Sequence, residues 1–281
     1  MLEVEHSHLP RQHKVTYADA QNRLGVLYDN GDGIEENSEV AIEWFKKAAD
    51  QGHTKAQFNL GRHYLSGDGI PKDDTKALIC FSISAEQGHA EAQCFKGICY
   101  MNGWGTDESK DNAACWFKKA AEQGHSTAQY FLGLCYAEGV GVEKNPVEAF
   151  HWYKKAAAQE NADALVSLGV CYLFGTDSAF MKSRGVLKDI QKAKECLQKA
   201  IEIGEVEGFL HDNRLRYAHR LLAVAIYAQN VKDYLSWNAL DIANCIPGIN
   251  LISYPITGVL SVSEKKKLRD FLTTEDGRSI S

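Results

Sequence analysis

The 281-residue chain has a net charge of −6 at pH 7, which argues against a strong pull toward nucleic acid or an anionic membrane. Hydrophobic residues make up 44% and charged residues 24%, a balance that excludes wholesale disorder. No run of about 18 apolar residues occurs, so no membrane span is expected, and the length suits one or two domains or one repeat array.

Residues 1–16 form an N-terminal segment. Its sequence MLEVEHSHLPRQHK lacks the apolar core of a secretory signal. A cytoplasmic location is therefore expected, or export by a route that reads no such signal. His6, His8 and His13 are read as part of a solvated end.

From residue 17 an internal period of 36 residues dominates. A Gly-x-x-Tyr element recurs as Gly25/Tyr28, Gly61/Tyr64, Gly97/Tyr100, Gly133/Tyr136 and Gly169/Tyr172. The predicted units are 17–53, 54–89, 90–125, 126–161 and 162–204, each a helix–turn–helix. The first helix carries a small residue (Ala20, Ala56, Ala92, Ala128, Ala164) and then the glycine, both where a neighbouring helix must come close. A mid-helix glycine costs about 1 kcal/mol against alanine, so its regular use implies tight packing. The tyrosine one turn later fills the space between helices. A Gly-x-Gly turn ends the helix at Gly31/Gly33, Gly67/Gly69, Gly103/Gly105 and Gly139/Gly141.

The second helix then starts at an N-cap residue, Asn37, Asp73, Ser109 or Asn145. Pro146 suits the first helical position of the fourth unit. The second helix carries Ala41, Ala77, Ala113 or Ala149, with Trp44, Cys80, Trp116 or Trp152 three residues on. An apolar stripe runs through Ala41, Trp44, Phe45 and Ala48 and recurs as Ala149, Trp152, Tyr153 and Ala156. A Gln-Gly-His turn closes the first three units at His53, His89 and His125. In the fifth unit the second helix resumes at Asp189, Ala193, Cys196 and Ala200, eight residues late. The extra residues lie near 176–186, either as a tolerated loop or as a loop that binds a partner.

Beyond the fifth unit, 205–246 reads as a degenerate helix pair that caps the array. Residues 247–281 form a C-terminal segment with a short helix entered through the capping pair Ser261 and Glu264. The run Lys265-Lys266-Lys267 with Arg269 is read as a solvated face. The eight cysteines include no C-x-x-C pair, and Cys99, Cys135 and Cys171 share the repeat period. They are read as reduced, buried thiols.

Across residues 17 to 204 the array resembles the Sel-1-like repeat family, relatives of the tetratricopeptide repeat. The blocks AQFNLGRHYLSGDGI, AQYFLGLCYAEGVGV and WFKKAAEQGH carry the resemblance. It implies an all-α fold, a right-handed superhelical solenoid of antiparallel helix pairs. It also implies a role in holding other proteins together, as a scaffold or adaptor. One branch of the family staples its helices with paired cysteines and has been credited with hydrolysis of β-lactams. This chain has Ala48, Ala120 and Ala156 where such pairs would fall, which weakens that reading.

No catalytic constellation is legible. There is no G-x-S-x-G elbow, and the Gly-x-Gly turns follow helices and lack the G-K-[ST] ending of a phosphate loop. His53, His89 and His125 stand one repeat apart, near the ~10 Å spacing of packed helices. A zinc ion needs its ligands within about 2.1 Å, so these three cannot share one. No cofactor, metal or small-molecule substrate is expected.

Function is therefore expected in residues that the repeat leaves free. On each first helix, the positions three before, one after and four after the glycine form a stripe. It reads Asn22, Val26 and Asp29; Phe58, Arg62 and Leu65; Cys94, Ile98 and Met101; Tyr130, Leu134 and Ala137; Val166, Val170 and Leu173. The family's architecture places this stripe on the concave face, polar at first and apolar from the third unit onward. Three occupants are open. The stripe takes a peptide or helix of a partner protein, it is core between paired helices, or it receives the chain's own segment Ile249 to Leu260. The expected function is a non-catalytic protein-interaction scaffold, in a bacterium an effector or a regulator of one. A weak hydrolase and a purely structural oligomerisation module are the rival readings.

Overall fold

Most of the helices begin where the sequence supplies a side-chain acceptor for the orphan amides of a first turn. The computed structural model describes residues 16–175, 189–206 and 213–230. Among them are eleven helices and no strand. These are α1 (Tyr17–Asn30), α2 (Ser38–Ala49), α3 (Thr54–Ser66), α4 (Asp74–Glu86), α5 (Ala90–Asn102), α6 (Lys110–Glu122), α7 (Ser126–Glu138), α8 (Pro146–Ala157), α9 (Ala162–Phe174), α10 (Ile190–Val206) and α11 (Asn213–Asn230). The fold is an all-α repeat solenoid. The readings of 1–15, of the insertion near 176–186, of the last helix of the sixth pair and of 247–281 fall outside the described residues.

The expected caps are in place. Asn37 Oδ1 accepts from the Val40 amide at 3.0 Å, Asp73 from Lys76 at 2.9 Å and Asp189 from Lys192 at 3.0 Å. Asn145 accepts from both Val147 and Glu148 at 3.2 Å, with Pro146 at the first helical position. Two of the three closing-turn histidines, His53 and His125, prove to be caps as well. Nδ1 of His53 accepts from Ala56 N–H at 3.1 Å, and Nδ1 of His125 from Ala128 N–H at 3.2 Å. Asn161 does the same for the fifth unit at 2.9 Å. Each such cap is worth about 1 kcal/mol.

One backbone clamp fixes the turn within each unit. The amide of the second-helix cap donates to the carbonyl of the repeat tyrosine. The pairs are Asn37–Tyr28, Asp73–Tyr64, Ser109–Tyr100, Asn145–Tyr136 and Asp189–Tyr172, all at 2.8 Å. The last closes a longer loop with the same bond, so the eight extra residues leave the helix pair intact.

The first-helix glycine is a close-approach site, as its period implied. A Cβ on Gly25 would lie 2.5 Å from the Phe45 ring, on Gly61 2.7 Å from Phe81, on Gly133 2.6 Å from Tyr153 and on Gly169 2.7 Å from Leu197. Second helices thus set a large side chain against a bare backbone. The second turn glycine meets the preceding pair: at Gly105, with φ +70°, a Cβ would stand 2.3 Å from the Asp74 carbonyl oxygen.

The chain divides into two compact units, Met1–Trp116 and Phe117–Ser281. In the first, one core gathers Ala41, Ile42, Phe45, Ala48, Ala56 and Leu60. A second holds Phe58, Phe81 and the partly buried Phe95, with ring centroids 5.2–5.8 Å apart. In the second unit, Tyr153, Leu165 and Leu168 share a core with Ala149, Ala156, Ala164 and Ala200. There α11 packs on α9 and α10, burying Ala218, Leu221, Val224 and Ala225.

Two expectations need correction. Ala20 was placed at a close helix approach, but it is exposed, whereas Ala56, Ala92, Ala128 and Ala164 are completely buried. Among the described residues no helix precedes α1 to pack on Ala20. Trp44, Trp116 and Trp152 are half-buried, and the following Phe45, Phe117 and Tyr153 occupy the core. Each tryptophan instead carries a lysine ammonium on its ring, Lys47, Lys96 and Lys155, at 4.1–4.3 Å.

Candidate functional site

The stripe around the first-helix glycine does not lie open along its length. Asn22, Phe58, Cys94 and Leu173 are buried and leave the contact surface. Val26, Asp29, Leu65, Ile98, Met101, Tyr130, Leu134, Ala137, Val166 and Val170 are half-buried, and Arg62 is exposed. The exposed apolar groove expected from the third unit onward is therefore corrected. Tyr130, Leu134, Ala137 and Val166 lean against the core of the second unit. Cys94 is only 1% exposed. The physical reason is the seam geometry: these positions straddle the line where one pair packs on the next, so apolar side chains turn sideways into it. Exposed large apolar side chains lie elsewhere, among them Leu24 and Leu27 on α1, Ile79 and Ile83 on α4, and Trp104 in a turn.

In the first unit the first-helix face is polar and cleft. An open cleft of about 460 Å³ is lined by Asp29, Arg62, His63, Leu65, Asp68 and Phe95. A second, of about 490 Å³, is lined by Asp19, Asn22, Arg23, His53 and Lys55. Between them Asn59 Nδ2 donates to Asn22 Oδ1 at 3.3 Å, linking α3 to α1. Asp19, at the mouth of the second cleft, is held down to about 2 by the Thr16 amide and hydroxyl and by His53.

Three polar features of the repeat escaped sequence reasoning. The first is a glutamine ladder. The Gln87 amide donates to Gln57 Oε1 at 2.9 Å and the Gln159 amide to Gln129 Oε1 at 2.9 Å, and Gln51 donates to Gln21 in the same register. Gln93 and Gln129 also donate to the Ala85 and Ala121 carbonyls. The signal was the Ala-Gln dipeptide that recurs at 20–21, 56–57, 92–93 and 128–129. The fifth unit replaces the pair with Leu165 and Ile203, which belong to its core.

The second is Lys96, 5% exposed, at the position of Leu60, Leu132 and Leu168. Its ammonium reaches Glu86 at 3.3 Å and sits 4.1 Å from the centre of the Trp116 ring. The third is His63, 5% exposed, at the position of Cys99, Cys135 and Cys171. Its Nε2 lies 3.1 Å from Asp29 Oδ1.

All seven described cysteines are free thiols. Burial pushes Cys94, Cys99 and Cys171 up to about 12 and Cys80 and Cys135 up to about 11. A thiol so raised carries almost no thiolate at neutral pH and makes a poor nucleophile. None of the described helices is long and apolar enough to cross a membrane.

Comparison with known proteins agrees with this architecture. Five consecutive segments, 18–53, 54–89, 90–125, 126–161 and 162–205, match the Sel1 repeat. A Sel1 repeat protein from Oxalobacter formigenes is 36% identical, with a TM-score of 0.57 over 66% of this chain and 73% of that one. The protein c5321, described as a protective antigen present in uropathogenic Escherichia coli strains and displaying an SLR fold, is 31% identical. It superposes with a TM-score of 0.60 over 78% of this chain, which spans 47% of the c5321 chain. No curated protein sequence matches. Five tandem matches over two thirds of the sequence make this chain a member of the Sel1 repeat family.

Proposed function

We propose that this chain is a non-catalytic scaffold that binds a segment of another protein on the first-helix face of its N-terminal unit. The observation that carries the reading is the pair of clefts along α1 and α3, where the repeat leaves charged side chains, Arg23, Lys55, Arg62 and Asp29, above a packed floor. Membership of a family whose members commonly hold proteins together supports it. So do the raised thiols, which leave the buried cysteines without nucleophilic character. A bacterial setting, as an effector or a regulator of one, is the finer form of the proposal; both relatives described above come from bacteria.

Arg23 and Arg62 are exposed, so reversing their charge leaves the core untouched. A partner identified by crosslinking in the native cell and then purified should bind the double variant Arg23→Glu/Arg62→Glu at least about tenfold more weakly, a loss of about 1.4 kcal/mol. Helical circular dichroism should not change. Unchanged affinity would place the binding surface elsewhere.

A further inference from the structure

Two departures from the repeat meet at one point in the first unit. Asp29 stands where the other units carry Leu65, Met101, Ala137 and Leu173, and His63 stands where they carry Leu27, Cys99, Cys135 and Cys171. Each puts a polar group at a position the repeat otherwise fills with an apolar side chain or a thiol. The two face each other across the α1–α3 seam, with His63 Nε2 3.1 Å from Asp29 Oδ1. A third group, the Asp68 carboxylate, comes from the turn after α3, and one ligand atom from each of the three lies within 4.8 Å of the others.

The hydrogen bonds around His63 point to a cation. Nδ1 lies 3.0 Å from the Asp68 carbonyl oxygen, which can only accept, so Nδ1 carries a hydrogen and donates. Nε2 then faces a carboxylate that also only accepts. The imidazole and carboxylate lone pairs oppose each other unless a positive ion, a proton or a metal, lies on Nε2. A proton would account for Asp29 alone. The Asp68 carboxylate, which accepts from the Ser38 hydroxyl at 3.2 Å, supplies a third ligand, an oxygen, beside that pair. The ring itself is fixed, 94% buried and tilted 35° against Phe45 at 5.7 Å. A carbonyl on the far imidazole nitrogen and a hydroxyl on the carboxylate are the outer-shell supports that metal ligands use.

We propose that Asp29, His63 and Asp68 form a site for one divalent transition-metal ion of the zinc class, which ties the first helix pair to the second. Ligand atoms of a tetrahedral ion at about 2.1 Å lie about 3.4 Å apart. The Asp29–His63 separation already matches that spacing, and Asp68, exposed on its turn, is the group that swings in. The ligand set, one imidazole and two carboxylates, leaves a fourth position toward the cleft for water. The two carboxylates favour the dication, and the exposed Arg62 in the same cleft opposes it in part.

The test uses the full chain with CoCl2 and ZnCl2. Co²⁺ should bind with one equivalent per chain at this site and give the intense visible absorption of a four-coordinate ion, bleached by Zn²⁺. Zn²⁺ should raise the Tm. The Asp68→Asn variant keeps the backbone carbonyl that orients His63 and keeps the His63–Asp29 pair, so its fold is unaffected. It should still lose about tenfold or more in affinity, along with the Zn²⁺-dependent Tm rise. His63→Gln should behave likewise. Absence of a saturable Co²⁺ band would overturn the proposal and leave a structural ion pair. Equal affinity in wild type and both variants would also overturn it, by assigning the ion to the other histidines or thiols. Partner binding is tested separately by Arg23→Glu alone, in the cleft that holds none of the three ligands.

Discussion

The two units solve the same packing problem with different chemistry at the same positions. In the N-terminal unit the repeat is interrupted by Asp29, His63 and Lys96. In the C-terminal unit the corresponding positions hold Ala137 and Leu173, Cys135 and Cys171, and Leu132 and Leu168, and the glutamine pair kept at Gln129–Gln159 gives way to Leu165 with Ile203 in the fifth repeat. The polar departures come in partnered sets, His63 with Asp29 and Lys96 with Glu86 and Trp116. A buried polar group is tolerable only when its partner is present. The lesson is that a degenerate repeat tolerates polar departures where two of them compensate each other, and Asp29 and His63 line one cleft of the polar face.

The shared packing rule is the first place to press. Phe81→Ala empties a fully buried site against Gly61 and should cost about 3–5 kcal/mol in urea unfolding. The reverse change, Gly61→Ala, drives a methyl group into the Phe81 ring and should cost about 1–3 kcal/mol. Gly169→Ala meets the flexible end of Leu197 instead and should cost less. Equal costs in the two units would show that the aromatic anchor is no stiffer than the aliphatic one.

The glutamine ladder gives a direct interconversion of the two chemistries. Gln57→Leu alone removes the bond to the exposed Gln87 amide and should destabilise by about 0.5–1.5 kcal/mol. Adding Gln87→Ile copies the fifth unit and should recover most of that loss. A double variant no better than the single one would mean that the pair acts through something other than mutual satisfaction. Lys96→Leu copies the apolar version of its position and should be neutral or stabilising by about 1 kcal/mol, because a buried ammonium gives up hydration that its contacts only partly return. A clear loss would make Lys96 a structural requirement.

The smallest effect is at the start of α1. Asp19 titrates near 2 when folded, below its usual range, because the Thr16 amide and hydroxyl bond its charged form. Its contribution is therefore complete above the ordinary carboxylate range near 4 and disappears as the pH falls through about 2. Asp19→Asn should remove that part of the acid dependence and change nothing at pH 7 to 8 beyond the loss of the cap. A pH profile identical to wild type would contradict the capping box.

Much of the fold was legible because the repeat is written in residues with one physical use each: Gly25 and its successors for close approach, Asn37, Asp73 and Asn145 for caps, and Gly-x-Gly for the turn. The helix pair of the fifth unit was found at Asp189 despite its insertion for the same reason. The site was less legible. Spacing placed Phe58, Cys94 and Tyr130 on one stripe, but which edge of that stripe faces solvent depends on the neighbouring pair, and a single helix period does not contain that information. His63, Lys96 and the glutamines were visible as departures or repeats in the letters. Their partners lie ten to thirty-four residues away, and only the folded chain brings them together.

The measurement that tests the central claim most directly is hydrogen–deuterium exchange of the full chain with and without its purified partner. The account predicts new protection concentrated on α1, α3 and the turn containing Asp68, with the outer face of α4 at Ile79 and Ile83 unchanged. Protection confined to α4 and the other second helices, with α1 and α3 unaltered, would contradict it.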